Sequence, residues 1–141
     1  MKAELFALLA AACWGIGSFF EKKGLALGNI PPFVGAAMRT SISLIILLFL
    51  AWPNIQTAFR AGLKPFLLVA FGGGLLAGAL GIAMFYTALK TGNIGKVLPI
   101  AFTSPLFGVL ISLMLGMESL SIKNILGMLL TISGIMVLTF K

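Results

Sequence analysis

Five apolar runs, each near the length of a bilayer crossing, alternate with short polar punctuation along this chain. They occupy about 5–27, 33–52, 65–89, 94–117 and 122–140. An α-helix rises about 1.5 Å per residue, so about 20 residues cross a hydrocarbon core about 30 Å thick. No run alternates apolar and polar residues, which excludes a transmembrane β-barrel. The pattern therefore predicts an all-α integral membrane protein, a bundle of five transmembrane helices. Its punctuation has local meaning. Gly28, Asn29, Pro31 and Pro32 form a turn, and Pro53 and Asn54 stop the second run. Residues 55–64, with Arg60 and Lys64, are a connection, and Pro65 suits the first turn of the next helix. Ser121 is placed to cap the fifth helix. No internal repeat is visible.

Composition changes the picture only by exclusion. The chain is 60% hydrophobic and 9% charged, against roughly 25% charged in soluble proteins. Its net charge of +7 does not point to nucleic acid, because the basic residues stand singly or in pairs at the ends of apolar runs. Cys13 is the one cysteine, so no intramolecular disulfide forms, and with no histidine a zinc or haem site of the usual kind is not expected. Glu4, Glu21 and Glu118 are too few and too scattered for a carboxylate-pair hydrolase. Gly15-Ile-Gly17 lacks the third glycine and the strand of a dinucleotide site, and no phosphate-binding Walker sequence occurs. No enzyme activity, cofactor or metal is expected. Met1-Lys2 followed by Leu5 to Cys13 looks superficially like a signal peptide. Glu4, Ala10 at the position where a lipobox prefers Leu, and the apolar continuation through Trp14 to Phe20 favour a retained first span.

Charge placement bears on orientation. Five spans put Lys2, Arg60, Lys64 and Lys123 on one side, and Lys22, Lys23, Arg39, Lys90, Lys96 and Lys141 on the other. Without Arg39 and Lys96, which sit partly within their spans, the balance is four against four. The excess of cytoplasmic cations that normally sets orientation is then absent. Two readings stand: one orientation with differently placed loops, or insertion both ways to give an antiparallel dimer.

The few polar groups inside the runs are the functional candidates. Lys96 stands one turn before Pro99; its ammonium either snorkels to the interface or serves as counter-ion to an anionic or zwitterionic substrate. Pro99 and Pro105 each leave a carbonyl unbonded one turn earlier, with Thr103 and Ser104 between them. Such bent helices either serve packing or build a substrate site. Arg39 needs a partner or a wet cavity, and Glu21 is the candidate partner. Glu21 either titrates to couple transport to protons or pairs with Lys22, Lys23 or Arg39. Trp14 and Tyr86 lie well inside spans, where they either pack or stack on an organic substrate. Gly74 and Gly78 form a GxxxG, widened by Gly72, Gly73 and Gly81, which predicts helix packing on the third span.

Several stretches together resemble the EamA family of the drug/metabolite transporter superfamily. They are Ala12-Cys13-Trp14-Gly15, Phe20-Glu21-Lys22-Lys23-Gly24-Leu25, Ala37-Met38-Arg39-Thr40, and Phe85 to Lys90 with Thr91 to Val97. Ser104-Pro105-Leu106, Leu115-Gly116-Met117-Glu118-Ser119-Leu120 and Gly127 complete the pattern, which covers essentially the whole chain. The resemblance implies one half of a ten-helix, inverted-repeat transporter, since most members look like two five-span units in opposite orientation. It implies a homodimer, or pairing with a second short chain, in the cell (inner) membrane of a bacterium or archaeon. It also implies secondary transport of small organic solutes such as amino acids, metabolites or drugs. By match to the family pattern, Trp14, Lys22, Arg39, Tyr86, Lys96 and Pro99 are cavity or gate candidates. Two alternatives stay open. The small multidrug-resistance class also forms dimers and exports cations against protons, but it looks like four spans with a glutamate in the middle of the first. A non-transporting assembly subunit, or an accessory flippase for lipid-linked sugars, would keep its polar residues at interfaces only.

Overall fold

The computed structural model describes residues 2–117 and 121–139. Every regular element among these residues is helical. The chain divides into two compact units, Met1–Thr91 and Gly92–Lys141. Among the described residues, five helices are long and apolar enough to cross a membrane: Lys2–Leu27, Pro32–Asn54, Leu63–Thr91, Ile94–Met114 and Ile122–Thr139. Only 0 to 11% of the residues in their apolar windows are buried by protein. In water that exposure would be ruinous; in lipid it is the solvated state.

In the first unit, α1 is Lys2–Leu27 and α2 is Pro32–Ala51. The turn between them is closed by its own backbone. Asn29 adopts the left-handed conformation (φ 44°), its N–H donates to Ala26 O, and Ile30 N–H donates to Leu25 O. This pair of bonds satisfies carbonyls that the helix end leaves open, with asparagine in the place glycine usually takes. Pro31 and Pro32 then start α2, because a missing N–H costs nothing in a first turn. The connection carries a short 3₁₀ turn, Trp52–Asn54, and α3, Gln56–Arg60.

The third span starts as α4, Leu63–Leu67, with Pro65 in its first turn, and ends as α5, Ile82–Thr91. Between them Leu68–Gly81 winds as a wider π-type helix, with bonds five residues apart. Wide winding is disfavoured in most sequences, and here glycines permit it. A Cβ on Gly78 would lie 3.0 Å from Gly73 O, and one on Gly81 3.3 Å from Leu76 O. A Cβ added at Gly72, Gly73 or Gly74 would meet no atom within 4 Å.

Buried residues of this unit gather at one end. They are Ser18 and Leu25 of α1, Gly35 and Ala36 of α2, and Tyr86 and Leu89 of α5. The three spans are therefore knitted where α1 ends, α2 begins and α5 ends.

In the second unit, α6 is Ile94–Ala101, α7 is Ser104–Met114 and α8 is Ile122–Thr139. The fourth span is broken at Phe102 and Thr103, which lie outside both α6 and α7. After α7, Gly116 (φ 66°) makes the same closure as Asn29: Gly116 N–H donates to Leu113 O and Met117 N–H to Ser112 O. Ser121 caps α8, its Oγ accepting from Asn124 N–H at 3.2 Å. Glu118, Ser119 and Leu120 of the loop motif, and Lys141, lie outside the described residues.

Candidate functional site

Glu21 stands six residues before the end of α1 at Leu27, and Arg39 seven residues after the start of α2 at Pro32. On two helices joined by a tight turn, that is nearly equal depth, about 9–10 Å of helical rise from the turn. The two side chains meet there: Arg39 Nε lies 3.0 Å from Glu21 Oε1, with the side chains 34% and 17% exposed. Tyr86 of α5 completes the group. It is buried, and its hydroxyl interacts with the Glu21 carboxylate. Gly35 makes room for the tyrosine ring. A Cβ there would meet Leu25 Cδ2 at 2.5 Å and Tyr86 Cε1 at 3.0 Å. Gly35 and Arg39 are four apart on α2 and share a face. Cation, carboxylate and phenol are thus held by three helices, and the charges answer one another, as charged groups at membrane depth must.

Toward the helix ends lies a second polar layer. Lys22 Nζ donates to Leu89 O at 2.7 Å. Lys90 Nζ donates to Ile30 O at 2.8 Å and to Asn29 Oδ1 at 2.9 Å, and reaches Leu25 O at 3.4 Å. Each lysine therefore serves carbonyls at the C-terminal end of the other's helix. Leu89 O and Leu25 O lie in the last turns of α5 and α1, where the negative end of the helix dipole favours a cation, and Ile30 O follows in the turn. The two hooks hold α1 and α5 end to end against the α1–α2 turn.

The second unit contributes a different arrangement. Asn93 caps α6, its Oδ1 accepting from Gly95 N–H at 2.8 Å. Lys96 falls in the first turn of α6 and is exposed. Pro99 cannot donate to Gly95 O, nor Pro105 to Ala101 O, so two carbonyls on the α6 side of the break lose their usual donors. The Thr103 hydroxyl donates to Ile100 O at 2.7 Å, while Ser104 begins α7 and is exposed.

Trp14, Glu21, Lys22, Arg39 and Tyr86 thus belong to the first unit, and Lys96, Pro99, Thr103 and Ser104 to the second. The structure brings Glu21, Arg39 and Tyr86 together. Trp14 is 57% exposed, away from that buried end. Gly74, Gly78 and Gly81 lie in or at the end of the wide-wound stretch; the atoms nearest Gly78 and Gly81 belong to their own span. Among the described residues no cluster of three metal-ligating side chains occurs.

Sequence reasoning missed Gly35, Lys90 and Asn29. Gly35 carried a legible signal, since it lies one turn from Arg39 on the same face. Lys90 and Asn29 did not: their contact links positions 61 residues apart, and nothing in either neighbourhood announces it.

The profile of the EamA-like transporter family matches residues 1–140. An uncharacterized protein of Methanocaldococcus jannaschii is 26% identical over 140 residues, covering 99% of this chain and 97% of that protein. No solved structure matches the chain significantly. A family match running the length of this helical frame settles the membership: the chain belongs to the EamA-like transporter family, within the drug/metabolite transporter superfamily, and is a multi-pass membrane transporter.

Proposed function

We propose that this chain moves small organic solutes (metabolites, amino acids or drugs) across the membrane as half of a dimeric secondary transporter with alternating access. The observation that carries this reading is the Glu21–Arg39 pair with Tyr86 buried against it. Charges inside a span cost several kcal/mol unless answered, so a purely structural helix does better without them. A pair that exchanges partners during a transport cycle gives them a use. Protonation of Glu21 releases Arg39 to a substrate anion, and departure of the anion restores the pair. Glu21 is the proton carrier in this scheme.

Lys96, in the second unit, is a candidate binding group in its own right. A cation in a helix first turn opposes the helix dipole, so α6 gains no stability from it. An anionic solute on the Lys96 ammonium, or a zwitterionic one whose own ammonium meets the carbonyls of Gly95 and Ala101, would account for its charge. Pro99, Pro105, Thr103 and Ser104 make the break in the fourth span a bending point, and Trp14 offers an aromatic wall for an organic solute. Partnership supplies the rest of the cavity. Five spans correspond to one unit of a two-unit transporter, and the archaeal relative has nearly the same extent. A homodimer, antiparallel or not, or a paired short homologue supplies the second unit, in the cell membrane of a bacterium or archaeon. The small multidrug-resistance reading is less favoured because five helices here are long and apolar enough to span, and Glu21 stands near the end of the first rather than in its middle.

Flux in proteoliposomes holding the full chain, assayed against a panel of labelled metabolites and cationic drugs, tests the reading. At least one solute is expected to move, and Lys96→Ala to lower its flux by about tenfold or more, the loss of one charge-assisted contact. Unchanged flux in that variant removes Lys96 from the site. Absence of flux for every solute favours the assembly or accessory-subunit reading.

A further inference from the structure

We propose that Ser43 and the outer edge of the Arg39 guanidinium form a subsite for the carboxylate of a singly charged organic acid. The inference rests on the transport reading above and names the class of solute it takes. Arg39 meets Glu21 through its Nε, at 3.0 Å. A guanidinium is a rigid, planar fork of N–H donors, so an arginine held at Nε keeps the edge between its two terminal nitrogens for a second oxyanion. The Arg39 side chain is 34% exposed, so that edge can be reached.

Ser43 stands four residues further along α2. Hydroxyls inside a helix can bond back to the carbonyl four residues earlier, and its neighbours Thr40 and Ser41 do so, on Ala36 O and Ala37 O. The Ser43 hydroxyl has no polar partner among the described residues. Ser43 lies eleven residues into α2, about 16 Å along the helix and near the middle of a core about 30 Å thick. A hydroxyl left unanswered at that depth is costly. Its direction is inward. Seven residues turn a helix by about 700°, roughly 20° short of two turns, so Ser43 faces as Ala36 does. Ala36 is buried and Ser43 exposed. The face of α2 that is packed at the turn end is therefore open two turns deeper. Arg39 lies between them on that side, and helical side chains lean toward the N-terminal end of their helix, which carries the Ser43 hydroxyl back toward Arg39.

Charge selects the ligand. Lys22 and Lys90 serve backbone carbonyls at the helix ends, which leaves Arg39 as the cation at this depth of the first unit. With Glu21 protonated, as the transport reading has it, one carboxylate on Arg39 makes the site neutral. A divalent anion would leave a net negative charge in the span, which hydrocarbon disfavours. A carboxylate also matches the guanidinium edge with two parallel N–H···O bonds and has lone pairs left to accept from Ser43.

Phenylglyoxal, which modifies arginine side chains, tests the assignment on the full chain in detergent. Arg39 and Arg60 are the two arginines of the sequence, and Arg60, at the end of α3, serves as internal reference. Peptide mass spectrometry follows both. At least one of formate, acetate, lactate and benzoate is expected to slow modification of Arg39 about tenfold when present at about ten times its Kd, and to leave Arg60 unprotected. Sulfate, a divalent oxyanion, is expected to protect Arg39 less. Ser43→Ala is expected to raise the half-protecting concentration about tenfold, the loss of one hydrogen bond to a charged group, and Ser43→Thr, which keeps the hydroxyl, to restore most of it. Because Ser43 is exposed, neither variant disturbs packing. No protection of Arg39 by any of the four acids, equal protection of both arginines, stronger protection by sulfate, or an unaltered half-protecting concentration in Ser43→Ala would each overturn the proposal. Flux of the same labelled acids in proteoliposomes separates it from the reading it rests on. Flux without protection overturns the subsite and leaves the transport reading standing; protection without flux supports the subsite and counts against transport.

Discussion

Glu21 and Arg39 illustrate how much a pair of charges depends on register. Their equal depth follows from the short turn at residues 28–31; a longer loop would let them slide apart. Because the side chains are 34% and 17% exposed, the pair lies between the surface case, worth about 0–1 kcal/mol, and the buried case, where removing one partner costs about 3–5 kcal/mol. Glu21→Gln is accordingly expected to destabilise the protein by about 1–3 kcal/mol, read as a lower Tm in detergent. Exchanging the two residues, Glu21→Arg with Arg39→Glu, should recover part of that loss; a double variant no better than the sum of its parts would show that the pair contributes nothing. Gly35 is a second sensitive position. Any Cβ there meets Leu25 and the Tyr86 ring, and the ring cannot yield as a flexible chain end does. Gly35→Ala is expected to cost about 1–3 kcal/mol by overpacking, measurable in the same thermal assay, whereas Gly15→Ala, with open space around it, should cost little.

At the scale of elements, helix ends decide the architecture. The α1 and α7 ends are closed by left-handed residues, Asn29 and Gly116, and the α6 and α8 starts by Asn93 and Ser121. These devices satisfy backbone groups that lipid cannot. Inside the spans the hydroxyls of Thr40, Ser41, Thr87, Thr91 and Thr131 are themselves satisfied, each donating to the carbonyl four residues back. Ser121→Ala removes one cap and is expected to cost about 0.5–2 kcal/mol, confined to α8. Lys90 matters more widely because it ties α5 to the α1–α2 turn. Lys90→Met keeps the aliphatic stem and deletes the donors to Ile30 O and Asn29 Oδ1. Amide hydrogen exchange at the 28–31 turn is expected to quicken, by about tenfold or more for the loss of about 1–3 kcal/mol of local stability. Unchanged exchange at that turn would mean the hook is not holding it.

At the scale of the molecule, the exposed apolar surface is an interface with lipid, and the balance of cations is the open variable. Four against four, outside the groups within spans, leaves the insertion machinery without a clear instruction. An antiparallel homodimer requires both orientations. Tags at the two termini should then each be reachable from either side of the membrane, in comparable fractions. A uniform orientation excludes the antiparallel homodimer and leaves a parallel dimer or a second chain.

Hydrophobic run length alone determined that this chain spans a membrane with helices, because in hydrocarbon only internal hydrogen bonding and about 20 apolar residues per crossing are admissible. The motifs around Glu21, Arg39 and Lys96 were likewise legible, since charged residues inside apolar runs stand out against their surroundings. What the sequence did not determine is which of those charges answer one another. Glu21 had Lys22, Lys23 and Arg39 within plausible reach. Only the depth set by the turn, and the tyrosine seated over Gly35, selected Arg39. Lys22, a neighbour in sequence, points instead to the end of α5. The reason is geometric: adjacent residues on a helix face directions about 100° apart, so proximity along the chain says little about partnership across it. The sequence also left open where the third span departs from α-helical winding. Its glycines permit close packing and wide winding equally, and local composition cannot choose between them.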